Sequence, residues 1–288
     1  MRKVTRDKTV PVDMRYRIRE PVIEVDLGES LLVETINFRT PIIRTPADAN
    51  PENYREREET GPIYVIGIEP GDVLAIHIED IQPEGHASGG TWDDSEAKSF
   101  LEIEGDKVHF PGGLCARKRM MIGDIYVTPA SADCPNPWDN GGNMDLKDVS
   151  TGNMLYLRSE LEGGLLVLGD VHACQGDGEL YGLGAECAAN VQIKITKDET
   201  FFPERPMIGK PCSFVSVACR RDYAEAVKLS MKDASKILSR ITGVTEKEAF
   251  LYCTTVGDLR DGAIWPMRYG IKPDSPPLVV GLEVPLPL

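Results

Sequence analysis

The chain has 288 residues, 41% of them hydrophobic and 27% charged, with a formal net charge of −14. That length supports a sizeable buried core, and the composition is ordinary for a globular protein. The acidic balance argues against nucleic acid or an anionic membrane as the main partner, because both select for basic patches.

No stretch approaches the ~18 apolar residues that cross a bilayer. The basic N-terminus, residues 1–20, has no apolar run behind it and does not read as a secretory signal. The seven cysteines lie between Cys115 and Cys253 without a CxxC pair. They are expected as reduced thiols of a cytoplasmic protein, not as a disulfide framework or a zinc knot.

In chain order, residues 30–37, 63–68 and 73–78 are short, rich in β-branched residues and bounded by Gly, Pro or Asp, which predicts strands. Pro70-Gly71-Asp72 is the turn between the last two. Residues 25–33 (VDLGESLLV) echo 68–76 (IEPGDVLAI), which suggests two similar β-turn-β units in one sheet or barrel. Residues 47–60 and 82–97 read as exposed excursions on the β scaffold. Val191, Ile193 and Ile195 alternate with Gln192 and Lys194, as in a strand with one wet face.

Helix is expected late. From Asp222, residues Val227, Met231, Ala234, Leu238 and Ile241 recur at 4-3-4-3 spacing, and Gly243 ends the run. Thr245 to Glu248 fits a capping box for a second helix with Ala249, Phe250, Cys253 and Val256 facing inward. Residues 275–288 carry four prolines and read as an extended tail. The fold class is therefore mainly β, sandwich- or barrel-like, with a helical pair near the C-terminus and α+β overall. A single domain spans 1–288, β-rich over 1–200 and helix-containing over 201–288. Strand–helix alternation is missing, as are GxGxxG, GxxxxGK[ST] and GxSxG, so dinucleotide, P-loop and α/β-hydrolase chemistry lack their signatures.

The chemistry concentrates in residues 163–195. An apolar run stops at Asp170, and Asp170, His172, Asp177, Glu179 and Glu186 then arrive among glycines. At the end of a strand, Asp170 and His172 share a face, where they can hold a metal or act as an acid/base pair. The QGDGE turn would bring Asp177 and Glu179 back toward that strand, with Glu186 on the returning one. Gly141-Gly-Asn-Met-Asp145 is a second glycine-rich, acid-bearing turn, which only the fold can bring to the same place. Each residue alone also fits a structural role: Asp170 as a strand-closing turn residue, His172 as a core histidine, Asp177 as an Asx-turn residue, Glu186 as a buried paired acid. Together they point to a site, since buried acids gathered in one place call for a cation or a reaction. Cys174 as a nucleophile is disfavoured by its acidic neighbours, and Cys187 reads as a small core residue. His77 reads as facing water, and His86 and His109 lack ligand-like neighbours.

Residues 61–78 (GPIYVIGIEPGDVLAIHI), the GGNMD turn at 141–145 and GDVHACQGDGE at 169–179 with Glu186 are similar, in order and spacing, to motifs of the acetamidase/formamidase family. The resemblance implies hydrolysis of a short linear amide to carboxylate and ammonia by a mainly β homo-oligomer. It also implies an acid/histidine site that in some relatives holds zinc or calcium. Carried over, Asp145, Asp170, His172 and Glu186 are the expected metal ligands, and Glu179, Asp177 and His172 the expected catalytic groups. The expected partner is a small-molecule amide, with no nucleic acid and no membrane. Two other readings stay open: a calcium-stabilised binding or structural protein without turnover, and a hydrolase of another C–N bond.

Overall fold

The computed structural model describes residues 1–11, 15–37, 42–49, 58–91 and 94–287. Its strands in chain order are β1 (Arg2–Val4), β2 (Thr9–Pro11), β3 (Ile23–Asp26), β4 (Ser30–Glu34), β5 (Glu58–Ile66), β6 (Val73–Thr91), β7 (Asp94–Glu104), β8 (Lys107–His109), β9 (Cys115–Arg117), β10 (Met121–Val127), β11 (Gly141–Asn143), β12 (Met154–Arg158), β13 (Leu166–His172), β14 (Glu186–Lys197), β15 (Met207–Gly209), β16 (Ser213–Arg220), β17 (Asp258–Asp261) and β18 (Leu278–Pro285). Helices α1 (Tyr223–Thr242) and α2 (Glu246–Val256) lie between β16 and β17.

One run of pairings goes β1–β4–β14–β6–β12–β15–β16–β18–β17, antiparallel except for β1–β4. A second goes β11–β10–β13–β5, with β5 also flanked by β2 and, in parallel, β3. The long β6 continues into a β7–β8–β9 meander. The two runs join where Val171 and His172 of β13 pair with Cys187 and Glu186 of β14.

The period-2 alternation of the strands sorts their side chains into layers. Leu74 and Ile76 of β6, Leu155 and Leu157 of β12 and Ile193 of β14 share one buried cluster with Ile63 and Val65 of β5 and Leu166 and Leu168 of β13. The main core thus lies between the two runs. The intervening residues Val73, Ala75, Tyr156, Met207, Phe214 and Leu282 face the other way and pack with Ala234, Leu238, Ala249 and Cys253 of the helices. The mainly β, sandwich-like expectation with a late helical pair agrees with this architecture.

The helix ends agree with the sequence chemistry. Asp222 caps α1 by accepting from the Glu225 N–H, and Gly243 closes it at φ 78° with its N–H bonded to the Ser239 carbonyl. Thr245 and Glu248 form the reciprocal capping box of α2. Its inward face is narrower than expected: Ala249 and Cys253 are buried, but Phe250 and Val256 are 46% and 38% exposed.

Other expectations are corrected. Of the excursion at 82–97, residues up to Thr91 continue β6, and β7 begins at Asp94; Trp92 and Asp93 lie outside the described residues. In the 47–60 segment, Pro46–Ala49 is a 3-10 turn and β5 starts at Glu58, while 50–57 lie outside the described residues. The proline-rich end is no tail. Its β18 pairs with both β16 and β17 and is buried from Leu278 to Leu282. The last third is accordingly strand as well as helix. The two echoed segments do lie in similar β-turn-β units, β3–β4 and β5–β6, of one sheet. Each carries the chain from the second run to the first: β3 and β5 lie parallel, while β4 and β6 flank β14 on either side.

Candidate active site

The strand junction carries the predicted residues. Asp170 and His172 end β13, Glu186 opens β14, and Glu179 sits in the loop between them. The loop is closed at its base by the Ala173 N–H to Ala185 carbonyl bond and the Ala185 N–H to Cys174 carbonyl bond. Asp145 arrives from the turn after β11, its N–H bonded to the Gly123 carbonyl of β10 at 3.1 Å. All five side chains are buried. They form two overlapping groups, Asp145–Asp170–His172 and His172–Glu179–Glu186, and in each group one ligand atom per residue lies within 4.8 Å of the others.

The backbone is bent to achieve this. Asp145, Asp170 and Glu179 have φ of 49°, 55° and 41°, in the left-handed region that L-residues seldom occupy. Such conformations cost of order 1–3 kcal/mol each and gather at functional sites. Two glycines clear the space. A Cβ at Gly123 would meet Asp145 Oδ1 at 2.5 Å and Asp170 Oδ2 at 3.0 Å, and one at Gly184 would meet His172 Nδ1 at 2.5 Å. Neither substitution fits without moving a site residue.

His172 is the hub. Its Nε2 lies 3.4 Å from Asp170 Oδ1 and 3.1 Å from Glu186 Oε2. Its Nδ1 lies 2.6 Å from Gln175 Oε1, while the Gln175 amide donates to the Asp145 carbonyl at 2.6 Å. Glu186 Oε1 accepts from the Gly184 N–H at 3.0 Å, and Asn143 Nδ2 donates to Asp145 Oδ2. Burial pulls the His172 imidazole down, but Glu186 and Asp170 outweigh it and hold it well above its usual value. Burial, reinforced by Asp145 and opposed by His172, pushes Glu179 well above the carboxylate range. Burial also raises Glu186, with His172 opposing and Asp170 adding to the rise. Four carboxyls around one imidazole would carry a large negative charge out of water. Such a group must take up protons or hold a cation.

A cleft of about 550 Å³ opens onto the cluster, with Glu179, Gln175 and Gly184 in its wall beside Leu101, Phe110 and Leu183. Asp177 also lines this cleft but pairs with Lys147 Nζ at 2.8 Å, and it belongs to neither group. The GDGE turn points Glu179, not Asp177, at the histidine because the turn is docked from behind. The Gly178 N–H bonds the Asp261 carbonyl, and the Ile264 N–H bonds the Gly178 carbonyl. The same C-terminal segment holds the second acid turn through the Ala263 N–H and Met144 carbonyl.

Cys174 sits in the cleft wall with its thiol raised by burial, and buried Cys187 is pushed up to about 12, so neither is an activated nucleophile. His77 is half-buried on β6, opposite Met154 and Lys194 and outside both groups. His86 stacks near Phe100. His109 does have neighbours, contrary to expectation: its Nδ1 is 3.2 Å from Cys115 Sγ, its cross-strand partner, and its Nε2 3.5 Å from Glu104. The sequence reading did not single out Gln175, Asn143, Gly123 or the 261–264 segment. Gln175 lies inside the GDVHACQGDGE motif, which is the one local signal among them.

Residues 122–210, which contain all five clustered side chains, match the model of the Acetamidase/Formamidase family. The chain is similar to a formamidase-like protein of Schizosaccharomyces pombe, 26% identical over 244 residues that cover 59% of this chain and 60% of that protein. A 104-residue stretch is 43% identical to an acetamidase of Mycolicibacterium smegmatis, covering 31% of this chain and 25% of that one. The chain thus matches less than two thirds of the length of these relatives. In fold it is similar to the crystal structure of an acetamidase from Bacillus halodurans, with a TM-score of 0.84 and 27% identity over 99% of this chain and 97% of that one. An acetamidase from Yersinia enterocolitica shares the fold at a TM-score of 0.83 and 23% identity, over 99% of this chain and 91% of that one. The family match thus spans both acid-bearing turns, and the fold is shared from end to end with a solved acetamidase.

Proposed function

We propose that the chain hydrolyses a short linear amide to carboxylate and ammonia at the His172 cluster, with a divalent cation held by Asp145, Asp170, His172 and Glu186. The observation that carries this is the gathering of four carboxyls and one imidazole, all buried, beside a cleft whose wall includes Glu179. The donor set of carboxylate oxygens and one imidazole suits zinc or calcium. Gly123 and Gly184 keep the room around those donors free of side chain. When bound, such an ion polarises an amide carbonyl and makes water a stronger acid.

The chain's own groups supply the rest. Glu179 reaches the cluster from the cleft wall, where burial and Asp145 raise its carboxyl well above the carboxylate range, and a cation held by its neighbours would favour the ionised form. It accepts a proton from the attacking water and delivers it to the amide nitrogen as the C–N bond breaks, so that acid and ammonia leave together. Leu101, Phe110 and Leu183 give the short acyl group an apolar wall. Asp177, neutralised by Lys147, shapes the rim and has no place in this proton path. The names of the relatives, acetamidase and formamidase, support formamide and acetamide as the first substrates to try.

A cytoplasmic setting and a homo-oligomer belong to the same proposal. Seven free thiols, with Cys115 and Cys212 exposed, support the first. Support for the second comes from the apolar rim, where Leu180, Tyr181 and Met267 are 63%, 47% and 49% exposed. Among the described residues no helix is long and apolar enough to cross a membrane.

The test is ammonia release from formamide, acetamide and longer amides by the wild type and Glu179→Gln. The variant should lose about 10²- to 10⁴-fold in kcat. Its fold should be retained, because Gln matches Glu in size and shape. Undiminished turnover in Glu179→Gln would remove Glu179 from the mechanism, and no ammonia from any amide would remove the activity.

A further inference from the structure

We infer that Gln175 is a positioning residue that fixes which nitrogen of His172 faces the acids. The inference rests on the reading of His172 as a cation ligand, but its geometry stands on its own. A glutamine amide has one acceptor end and one donor end. The donor end of Gln175 is committed to the Asp145 carbonyl at 2.6 Å. Reversing the amide would set two oxygens against each other there. The acceptor end therefore faces His172 Nδ1, also at 2.6 Å, and the hydrogen of that contact sits on Nδ1. Nε2 is left as the nitrogen presented to Asp170 and Glu186.

The surroundings hold the arrangement. Gly184 packs against the imidazole so closely that a Cβ there would overlap Nδ1. The Ala173–Ala185 and Ala185–Cys174 backbone bonds pin the base of the loop that carries Gln175. The bond to the Asp145 carbonyl ties this loop to the second acid turn. Gln175 thus couples two ligand-bearing turns through one side chain, and it touches no reacting atom. In metal sites generally, a partner on the far nitrogen of a ligand histidine fixes its tautomer and is worth 10–100-fold in affinity.

The test uses the full chain, labelled with 15N in its four histidines, with His172 assigned by its loss in His172→Asn. Imidazole 1H–15N spectra are recorded before and after addition of zinc chloride, and zinc affinity is measured by competition with a chelator. The wild type should show a slowly exchanging proton on Nδ1 that survives zinc loading, with zinc on Nε2. In Gln175→Leu that proton should lose its protection, and zinc affinity should fall 10–100-fold. Zinc on Nδ1 in the wild type would overturn the inference, and so would an unchanged proton and affinity in Gln175→Leu. The wild-type spectrum decides the first point even if the variant does not fold. If the wild type takes up no zinc but shows the Nδ1 proton, and Gln175→Leu loses it, Gln175 positions the ring and the metal reading fails alone.

Discussion

At the scale of single residues, the cluster depends as much on what is missing as on its donors. Gly184 has no side chain because the His172 ring occupies that space. Gly184→Ala is expected to destabilise the fold by about 1–3 kcal/mol, the usual cost of forcing an extra methyl into a packed site. It should also weaken cation uptake, since the ring must move. Urea melts and metal titration check both, and an unchanged melt would show that the ring has slack. All five clustered residues were legible in the sequence, because acids and glycines at short spacing are a local signal. The choice between Asp177 and Glu179 was not. It depends on Lys147 and on the backbone of Asp261 and Ile264, which meet the turn only in the fold. Gln175 looked like an ordinary turn residue for the same reason.

At the scale of elements, local chemistry and tertiary pairing divide the outcome. Both helices were legible to within a residue or two because their caps and periodicity lie in the sequence itself. Strand β18 was hidden by prolines at its ends, and the far half of β6 by Pro83, Gly85, Gly89 and Gly90. Their registers come from partners: β14 pairs with β6 through Pro83 and Glu84, and β16 with β18 along its whole length. β18 is also fastened electrostatically. Glu283 accepts from Lys210, Ser213 and Arg260, and these partners, overcoming partial burial, hold its carboxyl down at about 2. The sign follows from linkage. A depressed acid stabilises the fold above its unfolded value, 4.5, and the contribution disappears as pH falls from there toward about 2. At neutral pH that shift corresponds to at most about 3 kcal/mol, and solvent screening of the partly exposed pairs lowers it further. Glu283→Gln should therefore be less stable than the wild type at pH 7, with the gap closing by pH 2. A gap that stays constant with pH would mean that packing, not charge, fastens β18.

At the scale of the whole molecule, the architecture explains where the chemistry sits. Two runs of strands share one core and join at β13 and β14, and the cluster lies at that join. The C-terminal segment 261–264, next to β18, braces both acid turns, so the last third of the chain supports a site built from the middle. A buried group of four acids inside a chain of net charge −14 should welcome a divalent ion. The most direct measurement is ammonia release from formamide and acetamide by enzyme stripped of metal, then titrated with zinc or calcium while bound metal is counted by elemental analysis. Activity should vanish in the stripped protein and return in proportion to the ion bound. Full activity in protein shown to be free of metal would contradict the account.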